Sequence, residues 1–136
     1  MDTQINFLGE LELAEDFLRD THLADFAAQP MVQQIWEIAR AFSGRIELMP
    51  YQRDGDVMRL LVSVYLIPMG QIGKVIAVLT REPYPADRQG LQILIRKASS
   101  RLAALGAISH RFEAGSILQA KAALAELAER VEESAV

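Results

Sequence analysis

The chain has no cysteine among its 136 residues. Without thiols it cannot form a disulfide, a thiolate nucleophile, a zinc-thiolate site or a thiol-linked chromophore. Histidine is nearly as scarce, with only His22 and His110. Asp16, Asp20 and Asp25 surround His22, but no histidine pair and no ordered ligand spacing accompany them, which favours exposed helix residues over a metal site. We therefore expect neither a bound metal nor a cofactor.

The chain also has few basic residues and no long apolar run. The chain has 14 Lys and Arg against 18 Asp and Glu, a net charge of −4, whereas a phosphate-backbone binder gains affinity from clustered basic residues. No apolar run approaches the roughly 20 residues that cross a bilayer. Residues 1–4 lack the basic start of a signal peptide. These absences predict a cytoplasmic protein that contacts neither nucleic acid nor membrane.

Catalytic and phosphate-binding motifs are missing as well. The sequence has no Gly-x-Gly-x-x-Gly, no Walker loop and no nucleophile elbow. Gly70 and Gly73 belong to a turn between two predicted strands, whereas phosphate loops lead into a helix. Ser63 lies within an apolar strand, where a hydroxyl is usually satisfied inside the core. With no visible nucleophile-base pair, we expect a protein that is not an enzyme.

Half of the residues are apolar, and the length suits one domain with a real core. Residues 1–30 are predicted to form an N-terminal helical segment that ends at Pro30, because proline cannot donate a helix-interior hydrogen bond. A second helix follows from Met31 to the stop at Ser43 and Gly44. Its apolar stripe includes Trp36, the only tryptophan, which we interpret as a core or interface anchor.

Three strands are predicted next, in an antiparallel meander. Residues 45–49 alternate between polar and apolar side chains, as in a half-buried strand. Residues 57–67 are almost continuously apolar, which is typical of a central strand covered on both faces. Residues 74–80 form the third strand, and the charges of Arg81 and Glu82 are expected to end the sheet.

Two helical patterns close the chain. The first opens near Asp87 and carries an apolar stripe that includes Leu94 and Leu102. The second, in residues 107–136, has Ile117 and Leu124 seven positions apart, which is typical of a coiled-coil seam between subunits. The same spacing also fits an amphipathic helix that folds back on its own sheet, and the sequence leaves both arrangements open.

The order of motifs from Pro68 onward has a known counterpart. Pro68 at a strand end, the run Gly-Lys-Val-Ile-Ala-Val-Leu at 73–79 and the segment Pro-Tyr-Pro-Ala-Asp at 83–87 before a helix resemble the closing half of a GAF domain, a small-molecule sensing and dimerisation module. The resemblance covers about residues 31–105. It implies an α+β fold of the GAF or profilin-like kind, with an antiparallel sheet, helices on one face and further helices at both termini. It also implies a core unit of residues 31–106.

The resemblance implies dimerisation through the first and last helices. GAF domains often roof a ligand pocket with a long helical insertion between the middle strands, but here the strands are joined by short turns. A rival resemblance links residues 90–98 to the last helix of bacterial roadblock/LC7 domains, which dimerise and regulate small GTPases. Either resemblance predicts a homodimer.

The leading prediction is therefore a non-catalytic regulatory or signalling module that forms a homodimer and binds a protein partner. The first alternative is a GAF-like sensor of an apolar or heterocyclic small molecule, and the second is a roadblock-like GTPase regulator. If helices cover one sheet face, the other must meet a partner subunit, an apolar ligand or the chain's own residues 5–26.

Candidate residues follow from these predictions. Side chains expected to face any residual ligand pocket lie on the second and third strands: Ser63, Tyr65 and Ala77. Side chains expected at a subunit interface lie on the predicted helices: Trp36, Leu94, Leu102, Ile117 and Leu124.

Overall fold

The computed structural model describes residues 24–53, 55–108 and 110–133. These residues form four helices and three strands, and the predicted α+β class is confirmed. In chain order the elements are α1 (Ala24–Ala27), α2 (Pro30–Ala41), β1 (Ile46–Tyr51), β2 (Arg59–Leu66), β3 (Val75–Pro83), α3 (Arg88–Ile108) and α4 (Ala114–Glu133).

The sheet has the order β1-β2-β3 with both pairs antiparallel, as predicted. β2 is buried on both faces, which confirms it as the central strand. Both edge strands run further than predicted, β1 through Pro50 and β3 through Arg81 and Glu82 to Pro83. An edge strand tolerates proline where its nitrogen faces away from the neighbouring strand, because no ladder hydrogen bond is lost there.

The main core lies between one face of the sheet, the first face, and the helices α2, α3 and α4. β2 places Leu60, Val62, Val64 and Leu66 on this face, with exposed fractions of 0%. The same cluster extends from Met31 on α2 to Val131 on α4. Helix α4 thus shares one core with α2, α3 and the sheet.

The last helix folds back on its own sheet. Ile117 and Leu124 on α4 have exposed fractions of only 7% and 1%, and both belong to the main core. Leu94 and Leu102 on α3 are buried in that core as well. The seven-residue spacing left open a seam between subunits and a helix that folds back on its own sheet. The described structure has the folded-back helix.

The connection between α3 and α4 is fastened to the end of β2. The Ile67 N–H donates to Ser116 Oγ at 3.0 Å, and that hydroxyl donates to the Glu113 carbonyl at 2.8 Å. The Glu113 N–H in turn donates to the Ile67 carbonyl at 2.7 Å. Both backbone groups of Ile67 are therefore paired through the start of α4, which sets where that helix begins.

We predict that Ser116→Ala destabilises the fold by about 1–3 kcal/mol, because the part-buried Ile67 N–H loses its acceptor. Urea unfolding followed by circular dichroism measures the change. Ser100→Ala, an exposed position on α3, is the matched control and is expected to change stability by less than about 0.5 kcal/mol. Equal effects of the two changes would contradict the role assigned to Ser116.

The opposite face of the sheet, the second face, carries a smaller apolar cluster built from strand side chains. Leu61 and Ile76 are its buried members, with Tyr51, Tyr65 and Val78 packed against them. No helix of the described residues contributes to it, although Leu61 has an exposed fraction of 0%. The prediction that residues 5–26 cover this face falls almost wholly outside the described residues and stays a prediction.

Candidate functional site

A groove runs between α2 and the outer edge of β1. The two elements are consecutive and are joined by residues 42–45. α2 turns one side, with Met31, Ile35 and Ile38, into the main core. A neighbouring stripe with Val32, Trp36 and Ala39, at the spacing of one helix side, lines the groove. The two stripes overlap, because Ile35 also lines the groove and Ala39 also packs against the main core. Of the second stripe, Trp36 is the exposed member and Val32 is buried.

The strand side of the groove is formed by Leu48, Met49 and Pro50, and Tyr84 lies at the same end as Pro50 and Val32. The volume of the groove is about 390 Å³. Polar lining residues are confined to the end near the connecting turn: Arg40, Ser43 and Glu47, whose side chain points to the second face of the sheet. The groove thus has an apolar length and one polar end.

Contacts at the apolar end fix Tyr84. Its ring meets the Phe26 ring edge-on, with centroids 4.9 Å apart and an interplanar angle of 85°. Its backbone N–H donates to the Met58 carbonyl at 2.8 Å. Burial raises the pKa of the Tyr84 phenol above its ordinary value.

At the polar end, Arg45 ties the end of α2 to α4. Its guanidinium pairs with Glu126 at 2.6 Å and donates to the Ala41 carbonyl at 3.1 Å. It also lies 4.9 Å from the centre of the Phe42 ring, a cation–π distance. These contacts hold the C-terminal end of α2, at the polar end of the groove, against α4.

The free edge of β1 presents unpaired backbone groups to this groove. Pro50 is opposite Leu60 and lacks the N–H that one member of a hydrogen-bonded pair supplies, which fits a pair without ladder hydrogen bonds. Alternation then turns the backbone groups of Ile46, Leu48 and Pro50 away from β2. The Ile46 N–H donates to the Phe42 carbonyl at 3.0 Å, as that orientation requires. The same alternation turns the N–H and C=O of Leu48 away from β2, and neither group takes part in the turn and loop hydrogen bonds of the described residues.

The other edge of the sheet is protected. The Leu79 carbonyl on β3 accepts a hydrogen bond from Arg101 at 2.7 Å, and the Arg81 carbonyl accepts one from Arg59 at 2.9 Å. Long charged side chains across an edge hinder the addition of another strand. The two edges therefore differ: β3 accepts hydrogen bonds from these two side chains, whereas the outward groups of β1 have no strand partner among the described residues, with Leu48 6% exposed.

The residues predicted to face a ligand do not share one site. Ser63 and Tyr65 lie on the second face, but Ala77 pairs with Val64 and packs against the main core on the first face. The Tyr65 hydroxyl donates to Glu47 Oε1 at 2.6 Å, and burial together with this hydrogen bond raises the pKa of the phenol. Ser63 Oγ is buried and has no partner among the described residues. The expectation of a shared pocket is corrected accordingly.

The predicted interface residues are also divided. Leu94, Leu102, Ile117 and Leu124 belong to the core of their own chain, which corrects the expectation that they form a subunit seam. Trp36 is 47% exposed and lines the groove, which excludes the core interpretation; its role at an interface stays a prediction. Val32, Ala39 and Pro50 also line the groove and were not predicted as site residues. Their available signal was a second apolar stripe on α2, followed by a proline in an edge strand.

The described residues were also compared with the requirements of metal sites and membrane-spanning helices, and the chain with known proteins. No group of three or more His, Asp or Glu among them is arranged to hold a metal ion. No helix among them combines the length and apolar character needed to cross a membrane. Comparison of the chain with protein-family models, with curated proteins and with solved structures finds no match. The GAF and roadblock resemblances stay predictions.

Proposed function

We propose that the chain is a non-catalytic regulatory module that binds a protein partner through the groove between α2 and β1. The observation that carries this proposal is Trp36, which is half-exposed between an apolar helix stripe and an open strand edge. Large aromatic side chains in pre-formed apolar sites dominate the energetics of protein interfaces. An exposed tryptophan at such a place is a binding anchor.

The shape of the groove favours a polypeptide over a small molecule. Sites for small molecules enclose most of the ligand surface, whereas this groove is open to solvent along one side. The six residues of β1 give it a length of roughly 20 Å, matched by the 12 residues of α2. A partner segment of several residues fits these dimensions.

Site-specific photocross-linking tests the proposal. With the photoreactive residue p-benzoylphenylalanine in place of Trp36, we expect irradiation in the native host to attach one protein covalently. The matched control places the same residue at Ile93, which is 49% exposed on α3 and outside the groove. We expect Trp36→Ala to weaken binding of the purified cross-linked protein about tenfold or more, the loss of 1.4 kcal/mol or more typical of an anchor.

The proposal fails if position 93 captures the same protein as efficiently as position 36. It also fails if the captured protein binds Trp36→Ala and the unchanged chain equally well. Circular dichroism of each variant confirms that it is folded.

Homodimerisation is part of the same proposal, and its support is the resemblance to dimeric modules. Because the four predicted seam residues are in the core, a dimer would have to use exposed apolar side chains. Leu118 is such a side chain: it is 64% exposed on α4 and follows the predicted seam residue Ile117 in the sequence. We expect native mass spectrometry to show a dimer for the unchanged chain and a monomer for Leu118→Asp. A monomeric unchanged chain would contradict the homodimer and leave the groove proposal intact.

A further inference from the structure

We propose that the occupant of the groove is an extended segment of the partner, which adds to β1 as a fourth, antiparallel strand. This inference rests on the proposed function and states how the partner is recognised. Strand addition is a general mode of peptide recognition in which backbone hydrogen bonds give affinity and alternate side-chain sites give specificity. β1 offers both, because its edge is open and α2 lies beside it.

The unpaired groups of β1 fix the register of the added strand. Facing outward are the carbonyls of Ile46, Leu48 and Pro50, but only one N–H, that of Leu48, because Pro50 has none and the Ile46 N–H is bonded to Phe42. The peptide residue opposite Leu48 must both donate and accept. The residues opposite Ile46 and Pro50 need only donate. All three peptide residues must therefore carry an N–H, so none of them is proline.

A second copy of this chain is a poor occupant for the same reason. In a two-fold pairing centred on Leu48, the Pro50 of one copy lies opposite the Ile46 of the other. Pro50 has no N–H to donate, and the Ile46 N–H is already bonded to Phe42. Only the two hydrogen bonds between the Leu48 residues remain, whereas a foreign peptide makes four. A partner segment is thus preferred over self-pairing.

Side-chain direction gives the pattern of the partner segment. Peptide residues opposite Ile46, Leu48 and Pro50 project to the first face, which is the side occupied by α2. There the stripe that contains Trp36 offers apolar contacts. The residue opposite Glu47 projects to the second face. A basic residue suits that position, because opposite charges on facing strand residues attract. The recognised pattern is apolar-x-apolar-basic-apolar without proline at the apolar positions.

Amide hydrogen exchange, measured residue by residue by NMR, tests the inference. In the free chain we expect the outward Leu48 N–H to exchange at least about tenfold faster than the N–H of Met49, which points toward β2. The probe is the capped peptide Ser-Val-Thr-Val-Lys-Val-Ser, added up to ~1 mM. Saturation is expected to slow exchange at Leu48 about tenfold or more. N-methylation of the central valine removes a donor and is expected to weaken binding about tenfold or more.

Variants of the intact chain distinguish peptide binding in the groove from binding elsewhere on the surface. Trp36→Ala is expected to weaken peptide binding about tenfold, while Ile93→Ala leaves it unchanged. Three results overturn strand addition: no binding of the probe, binding without slower exchange at Leu48, or equal binding of the N-methylated peptide. If cross-linking at position 36 still captures a partner, the proposed function survives that failure; if it does not, both fail.

The free chain reports on competing occupants. Slow exchange at Leu48 that is independent of protein concentration would mean that the chain itself occupies the edge. Slow exchange that increases with protein concentration would mean that a second copy does so. Either result overturns the assignment of this edge to a partner segment.

Discussion

Replacing Ile117 and Leu124 together by Asp is expected to unfold the chain. Both side chains belong to the main core, with exposed fractions of 7% and 1%. Truncating one buried Leu or Ile to Ala typically costs about 2–5 kcal/mol. A carboxylate without a partner in the same place costs more, because it must be desolvated. Two such changes together cost more than about 4–10 kcal/mol, which is comparable to the roughly 5–15 kcal/mol that hold a domain together.

Far-ultraviolet circular dichroism and urea unfolding measure this result. Leu118→Asp is the matched control: it introduces the same charge on the same helix, next to Ile117, at a side chain that is 64% exposed. We expect it to remain folded, with a change of less than about 0.5 kcal/mol. A folded monomer from the double variant would contradict the packing of α4 and restore the subunit seam between helices.

Much of the fold could be predicted because local patterns and tertiary packing agree. The stop at Ser43 and Gly44 marks the end of α2, which runs Pro30–Ala41. The apolar run of β2 indicates a strand buried on both faces, and β2 is in the centre of the sheet. Asp87, predicted at the helix opening, accepts a hydrogen bond from the Gly90 N–H at 2.8 Å and caps α3.

The environment of α4 could not be decided from its sequence. Apolar residues seven positions apart fit a partner helix and a sheet equally well, because both present a continuous apolar surface to one helix stripe. What decides between them is whether the chain's own sheet has an uncovered face of the right width. In the described structure α4 packs on β2 and β1 beside α3, and that choice depends on the whole fold.

The failure of the predicted ligand set has a specific cause. With uninterrupted pairing from Val62 and Thr80, Ala77 would lie opposite Tyr65 on the second face. A register shift between Val62 and Ser63 instead places Ala77 opposite Val64. A shift of one residue moves a side chain to the other face of the sheet. The bulge lies in a run of ordinary strand residues, with neither glycine nor proline to mark it.

The groove was partly visible in the sequence. Trp36 stood out as a possible anchor, and its role depends on the angle at which α2 packs. Two apolar stripes lie side by side on this helix, and the sequence does not tell which one faces the core. The edge position of β1 depends in turn on strand order. The open Leu48 groups therefore become evident only once the sheet is assembled.

Leu61→Ala and Leu60→Ala are expected to destabilise the full chain by similar amounts, about 2–5 kcal/mol each. The two residues are adjacent on β2, both have exposed fractions of 0%, and they point to opposite faces of the sheet. Leu60 packs among helices, whereas the cluster around Leu61 contains only strand side chains among the described residues. Urea unfolding measures both changes.

The same pair tests whether residues 5–26 cover the second face. In a chain that begins at residue 24, Leu61→Ala should cost less than about 1 kcal/mol if that segment provides the cover, because an exposed Leu contributes little to stability. Leu60→Ala should keep its full effect, and the difference isolates the coupling between Leu61 and the removed segment. If Leu61→Ala destabilises the shortened chain as much as the full chain, the prediction is contradicted. Another part of the protein or a partner would then have to cover this face. A loss confined to Leu61 would establish the segment as the second layer on the sheet and direct the search for the partner to the β1 edge.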